Sequence, residues 1–576
     1  MSAAIFRRSL LTIAITSTLA ACGGDDNNDN RQTAIEALNI SCQASTAATS
    51  TPTGSATLEL LGTYASDNNF ATGSAEIVSY DTCSGKLYVV NAEAATVDVL
   101  SLSAAGVPSH SGTIDLTSAA TAAGISIGAA NSVSAKQGLV AVAIEAASKQ
   151  DNGLIALYRS DTLELLGTYS AGALPDMVTL SADGTRILTA NEGEPNSDYT
   201  VDPQGSVTIV DISAGFSADK AVVHQVGFTD FNTGASRAAE LPAAVRITGP
   251  DNTSVAQDLE PEYLTLSKDG NTAWVALQEN NAMAIVDVTN ASVTAIKALG
   301  EKSWNAASGN QLDASNRDNG PGEFASYEQL AGLYMPDTLA SFEKNGSTYI
   351  LSANEGDGRE YGDYLDETRG GDLYDKVDDS HPLKAALDDN NQLKRLKFVD
   401  NQSSYSATET LHAFGARSFS IWNSNAELVF DSGDDIAQRV YAADPDHFNT
   451  DHESNDSADS RSDDKGTEPE AIEVATIGDR SFAFVGLERQ SGVLVYEVTD
   501  PTAPVFQSLL NNRDFSQPVC TEVNEDGECS NDTYNSAAGD LGPESIDYFS
   551  SNGEHFIAVG NEVSGTTSIY RINFGS

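Results

Sequence analysis

The stretch 175–194, PDMVTLSADGTRILTANEGE, constrains the fold more than any other. It places an apolar run, the turn Ser181-Ala182-Asp183-Gly184 and a second apolar run before an abrupt Asn191-Glu192-Gly193-Glu194 step. Two runs of about six residues joined by Asp-Gly make an antiparallel hairpin, because glycine tolerates the positive φ of the turn. The unit recurs. First strands open at Glu76, Asn131, Asp176, Glu262, Asp337, Arg417, Glu470 and Glu544, and turns such as Asp269-Gly270, Asn345-Gly346 and Asn552-Gly553 follow several of them. Second and third strands come next, as at 273–277 and 284–287, and 163–169 reads as a fourth. Repeated four-stranded units predict an all-β chain folded as a single β-propeller.

Eight units predict eight blades, with seven as the alternative because the second and sixth are weakly marked. The last unit ends on its third strand, 568–572, and its fourth is supplied from the start of the chain, where 58–64 echoes 163–169. Closure by that N-terminal strand removes two exposed sheet edges. The propeller is placed at 55–576, with insertions at 213–258, 298–333, 356–410 and 442–467. Long insertions on a rigid scaffold are where function concentrates.

The segment ahead of it reads as an address. Arg7 and Arg8 precede a short apolar segment, 9–18, which is too brief to span a bilayer. It runs into Leu19-Ala20-Ala21-Cys22, a bacterial lipobox, so 1–21 is predicted to be a lipoprotein signal peptide and Cys22 the lipidated residue. Residues 22–54, rich in Asp and Asn and then in Ser, Thr and Ala, read as a flexible tether. Gly23 in place of an aspartate favours the outer membrane, on its periplasmic or its exposed side. Export also makes the remaining even set of cysteines a disulfide set, with Cys520 bridging Cys529 locally and Cys42 pinning the tether to Cys83.

The chain carries 83 acidic residues against 31 basic ones, a formal net charge of -52. Such a surface repels nucleic acid, leaves the N-terminal lipid as the only membrane contact, and attracts cations. Acids recur at two positions of the unit. One set opens the first strand (Glu76, Asp176, Glu262, Asp337, Glu470, Glu544); the other follows the second (Glu93, Glu145, Glu192, Glu279, Glu355, Asp434 or Asp435, Glu488, Glu562). Both loops of a meander emerge on one face, so the acids converge on one mouth of the central channel. Convergent carboxylates need cations, raised pKa values or hydrogen bonds. Oxygen donors without Cys or His spacing fit calcium first and magnesium second. The candidate metal ligands are Asp176, Glu192, Glu194, Glu262, Asp337, Glu355, Asp357, Asp434, Glu470 and Glu544. Arg417, Arg359 and Arg461 are candidate anchors for an anionic group such as phosphate.

Several segments in order, 87–92, 332–337, 415–420, 431–434 and 461–470, together with the Asn-Glu-Gly-acid steps, resemble the bacterial choice-of-anchor I domain family. That family is related to sea-urchin mesenchyme-specific cell-surface glycoproteins associated with biomineralisation. The resemblance spans roughly residues 57–574 and implies a surface-attached propeller whose anchor varies among members. Some relatives carry an alkaline-phosphatase label. Asn316 and Thr467 depart from the pattern, where an acid and a proline are expected. The sequence therefore predicts a cell-surface lipoprotein that binds calcium, and an extracellular ligand of unknown identity, at an acidic mouth. The alternatives are a metal-dependent phosphoesterase on the same face and a structural adhesion scaffold.

Overall fold

Strand residues here alternate between two neighbouring sheets rather than between core and solvent. Val140, Val142 and Ile144 pack with Tyr88, Val90 and Val97 of the preceding sheet, whereas Leu139, Ala141 and Ala143 pack with Val178, Ile187 and Val210 of the following one. Strands covered on both faces read as continuous apolar runs, which is what the second strands of the unit show.

The computed structural model describes residues 34–42, 51–66, 70–92, 94–250, 252–400, 402–522, 529 and 533–575. Within them lie seven four-stranded antiparallel sheets, one five-stranded sheet and a two-stranded ribbon. The first strands of the seven sheets are β2 (Val78–Asp81), β3 (Ile127–Lys136), β4 (Pro175–Leu180), β5 (Leu264–Leu266), β6 (Leu339–Lys344), β7 (Pro469–Ile477) and β8 (Pro543–Ser551). Each touches the next in chain order, and β8 touches β2. Sheets radiating from a ring of inner strands are β-propeller architecture.

The N-terminal strand β1 (Ala56–Ala65) pairs antiparallel with β9 (Thr566–Phe574), from Ala56 opposite Phe574 to Ala65 opposite Thr566. It completes the sheet that begins with β8. Deleting residues 51–65 should uncover the edge of β9, and size-exclusion chromatography is expected to show aggregation or loss of soluble protein. A soluble, monomeric deletion variant would contradict this.

The unit opening at Arg417 is not a separate one. Ser418–Asn423 pairs with Ser347–Asn354, so it is the third strand of the sheet that β6 begins, and 356–410 separates that sheet's second and third strands. The chain leaves and re-enters at a pinch of two glycines, Gly356 (φ 95°) and Gly415 (φ 71°). A Cβ on Gly415 would lie 1.9 Å from the Glu355 carbonyl oxygen, so only glycine permits the approach. The insertions 298–333 and 356–410, with the strand Leu411–Ala413 that follows the second, build the five-stranded sheet and share a core of Trp304, Leu330, Leu373, Leu393, Phe398 and Leu411. Cys42–Cys83 and Cys520–Cys529 are bonded as the sequence predicts. Cys22 and Glu93 lie outside the described residues.

Candidate metal centre at the channel mouth

A β-bulge or an equivalent irregularity aims the strand-opening acids Asp176, Glu262, Asp337, Glu470 and Glu544. In β4, Pro175 pairs with Asn191 and Met177 with Ala190, which leaves Asp176 as the extra residue. Glu544 is extra in the same way in β8, and Glu470 with Ala471 in β7. In the loops entering β5 and β6, Glu262 and Tyr263 both bond Ala276, and Asp337 and Thr338 both bond Ala353. β3 has the same irregularity, with Asn131 as its residue. A bulge turns the side chain out of the ladder, here toward the ring axis. Glu76, Asn131, Asp176, Glu262, Asp337, Glu470 and Glu544 accordingly line one cavity of about 470 Å³.

Three carboxylate groups bring their ligand atoms within 4.8 Å of one another: Asp176, Glu192 and Glu262; Asp337, Glu470 and Glu544; Glu355, Glu468 and Glu488. They differ in what balances them. No Lys, Arg or His nitrogen among the described residues lies within 4.0 Å of a carboxylate oxygen of the first two groups. Burial, with Glu194 next, pushes Asp176 up to about 7. Burial and neighbouring carboxylates hold Glu192, Glu262, Asp337, Glu470 and Glu544 well above the usual range. Glu470 is 8% exposed, and its Oε2 has no hydrogen-bond partner. A buried acceptor left unpaired costs about 1–3 kcal/mol.

The third group carries its own cations. Lys465 Nζ bonds Glu355 and lies 3.2 Å from Asp357 and 3.5 Å from Glu468. Arg461 bonds Glu468 at 2.7 Å, Arg489 reaches Glu468 and Glu488 at 3.2 Å, and His452 Nδ1 stands 3.1 Å from Glu488. Burial alone would raise Glu488, but the nearby His452 and Arg489 hold it far below the usual carboxylate range.

Of the candidate ligands, Asp176, Glu192, Glu262, Asp337, Glu355, Glu470 and Glu544 meet in these groups. Asp357 is exposed beyond Lys465, and Glu194 accepts a bond from the Tyr361 hydroxyl at 3.3 Å. Asp434 is elsewhere. Its strand, Leu428–Asp431, is a fourth strand, and the residue precedes the helix Asp435–Ala443, where it accepts from Gln311 N. The candidate anion anchors are engaged within the protein. Arg417 donates to the carbonyls of Asp313, Ser462 and Asp464, Arg359 to Glu260, Thr248 and the Asp258 carbonyl, and Arg461 to Glu468 and Asp464. Sequence reasoning missed Glu260, Glu468, Lys465, Arg489 and His452. A signal existed for the first two: Glu260-Pro261-Glu262 and Glu468-Pro469-Glu470 each add an acid before the proline, and each extra acid is buried against arginine.

Residues 76–501 match the family described as choice-of-anchor I domain, and the chain belongs to that family. It is 30% identical over 350 residues to the mesenchyme-specific cell surface glycoprotein of Strongylocentrotus purpuratus, covering 52% of this chain and 44% of that protein. It is 27% identical over 174 residues to Gigasin-3a of Magallana gigas, covering 28% of this chain and 58% of that one. The chain thus spans about half the length of these relatives. Among solved structures, the Cps50 (Swd1) β-propeller domain of Myceliophteria thermophila aligns over 90% of this chain and 100% of its own at 8% identity and TM-score 0.42. The hydrazine synthase of Kuenenia stuttgartiensis aligns over 88% and 98% at 10% identity and TM-score 0.44.

Proposed function

We propose that this chain is a surface-tethered, seven-bladed propeller, closed by β1 against β9, whose acidic mouth binds calcium. The observation that carries the reading is Glu470 Oε2, a buried carboxylate oxygen without a hydrogen-bond partner inside a group of three acids that no basic nitrogen of the described residues approaches within 4.0 Å. Oxygen-only donors, several of them carboxylates, suit calcium, which takes six to eight oxygens in flexible geometry; magnesium, which keeps its waters, is second. Asp176, Glu192 and Glu262 would hold the ion in one group, and Asp337, Glu470 and Glu544 in the other. Bound there, calcium supplies charge neutralisation and joins loops from separate sheets.

The reading is non-catalytic, because Arg417, Arg359 and Arg461 spend their donors on protein carbonyls and carboxylates rather than facing a substrate. Attachment through a lipid on Cys22 at the outer membrane accords with the surface location named for the sea-urchin relative. No helix of the described residues is long and apolar enough to cross a membrane. Metal analysis of the purified protein at pH 8, with and without chelator, tests the reading alongside turnover of several phosphate esters. Calcium retained without turnover is expected. Protein that neither retains calcium nor is stabilised by it would overturn the proposal, and turnover that needs the metal would favour a phosphoesterase.

A further inference from the structure

Resting on the cation-binding reading above, we propose that the mouth holds two divalent ions, one in each unbalanced carboxylate group, and that the Lys465 ammonium permanently occupies the third. The three groups satisfy the same spacing, and no residue is common to any two. One is built from Asp176 and Glu262, at the openings of adjacent inner strands, with Glu192 after the second strand of the β4 sheet. The next is built from Asp337, Glu470 and Glu544, at the openings of three successive inner strands. Each has an unpaired buried oxygen at hand: Glu470 Oε2 in the latter, and beside the former Glu279 Oε2, on a residue 9% exposed whose charge bears on both Glu192 and Glu262.

The third group shows what a filled group looks like. Lys465 is 7% exposed, and its nitrogen lies among Glu355, Asp357 and Glu468. An ammonium has three N–H donors and no acceptor; here it donates to Glu355 and Asp357 and stands in ion-pair contact with Glu468. Lys465 comes from the 442–467 insertion, which is locked down by Arg417 on the Ser462 and Asp464 carbonyls. Among the described residues no basic nitrogen comes as close to the other two groups, although Lys149 bears on Asp176 and Arg489 on Glu470 from farther away. The insertion therefore sets the stoichiometry of the mouth: it fills one group with a side chain and leaves two for ions from solution.

The experiment is calcium stoichiometry of the full-length protein by equilibrium dialysis at pH 8, with folding of each variant checked by its melting profile. The wild type is expected to bind two ions. Glu470→Gln combined with Glu544→Gln should bind one, as should Asp176→Asn combined with Glu262→Gln. Lys465→Met should bind a third ion at Glu355 and Asp357, the acids that Lys465 balances while Arg461 and Arg489 stay on Glu468 and Glu488, and Lys465→Arg should bind two. A single ion in the wild type, complete loss of binding in either pair variant, or folded Lys465→Met still binding two would overturn the inference. Should Lys465→Met not fold, the wild type and the two pair variants still decide the count. No binding in any variant would instead sink the parent reading of the mouth.

Discussion

Freed of divalent ions, the protein is expected to gain stability as the pH falls from about 8 to about 5, and excess calcium is expected to flatten or invert that slope. Asp176 and Glu279 are each pushed up to about 7, by burial first. Glu262, Asp337, Glu470 and Glu544 are raised by burial and by one another. The folded chain therefore keeps protons that the unfolded chain has already released above about pH 4. Where the native state binds more protons, stability falls as pH rises, and the window runs from the unfolded carboxyl range up to about 7. The paired acids act in the opposite direction. Glu468 and Glu488 are held below their ordinary values, so their contribution is present above the unfolded range and is lost as the pH falls through their folded values. Calcium competes with protons for the ionised groups, so its effect should be largest at pH 8 and fade by pH 5. Calcium at 100 times its Kd adds about 2.7 kcal/mol per site. Melting temperatures across pH, with chelator and with calcium, measure both curves. An apo protein whose stability rises steadily from pH 5 to pH 8 would contradict the electrostatic account of the mouth.

Replacing Glu468 by alanine is expected to cost about 3–5 kcal/mol, the scale for removing one partner of a buried ion pair. Glu468 is fully buried and is approached by Lys465, Arg461 and Arg489. Its loss leaves three positive side chains facing one another where water cannot replace the carboxylate. Glu468→Gln keeps the volume but not the charge and should remain close to the alanine variant, which separates electrostatics from packing. Calcium should not rescue either variant, because the Lys465 group holds no ion of its own. Denaturant unfolding reads the cost. A loss below about 1 kcal/mol, the range of exposed pairs, would show that the network is solvated.

The propeller was legible because its strands carry their own evidence: 139–144 is an unbroken apolar run and 187–190 is interrupted only by Thr189, as suits strands covered on both faces, and Asp-Gly turns mark the hairpins. The N-terminal strand was legible for the same reason, since a third strand without a partner requires one from elsewhere. What misled was the unit at Arg417. Ser418–Asn423 has the apolar pattern of any inner or middle strand, and a local pattern does not reveal that its partner, Ser347–Asn354, lies across a long insertion. Two local signs were present: an arginine stood where six of the other seven units carry an acid, and it lacked the preceding proline that five of them have. The same displacement moved Asp434 away from the mouth, because it follows a fourth strand.

The acids were legible as a set because position in the repeat determines which way a bulged residue points. Their division into unbalanced and balanced groups was not. That division depends on Lys465, Arg489 and His452, which reach the mouth from an insertion and from a loop, and no repeat position encodes a contact of that kind.

The most direct measurement is anomalous diffraction from crystals of the protein soaked at pH 8 with a calcium-sized lanthanide. Density peaks between Asp337, Glu470 and Glu544 and between Asp176, Glu192 and Glu262, with none at Lys465, are the predicted result. Peaks confined to exposed surface acids, with none at the channel mouth, would contradict it.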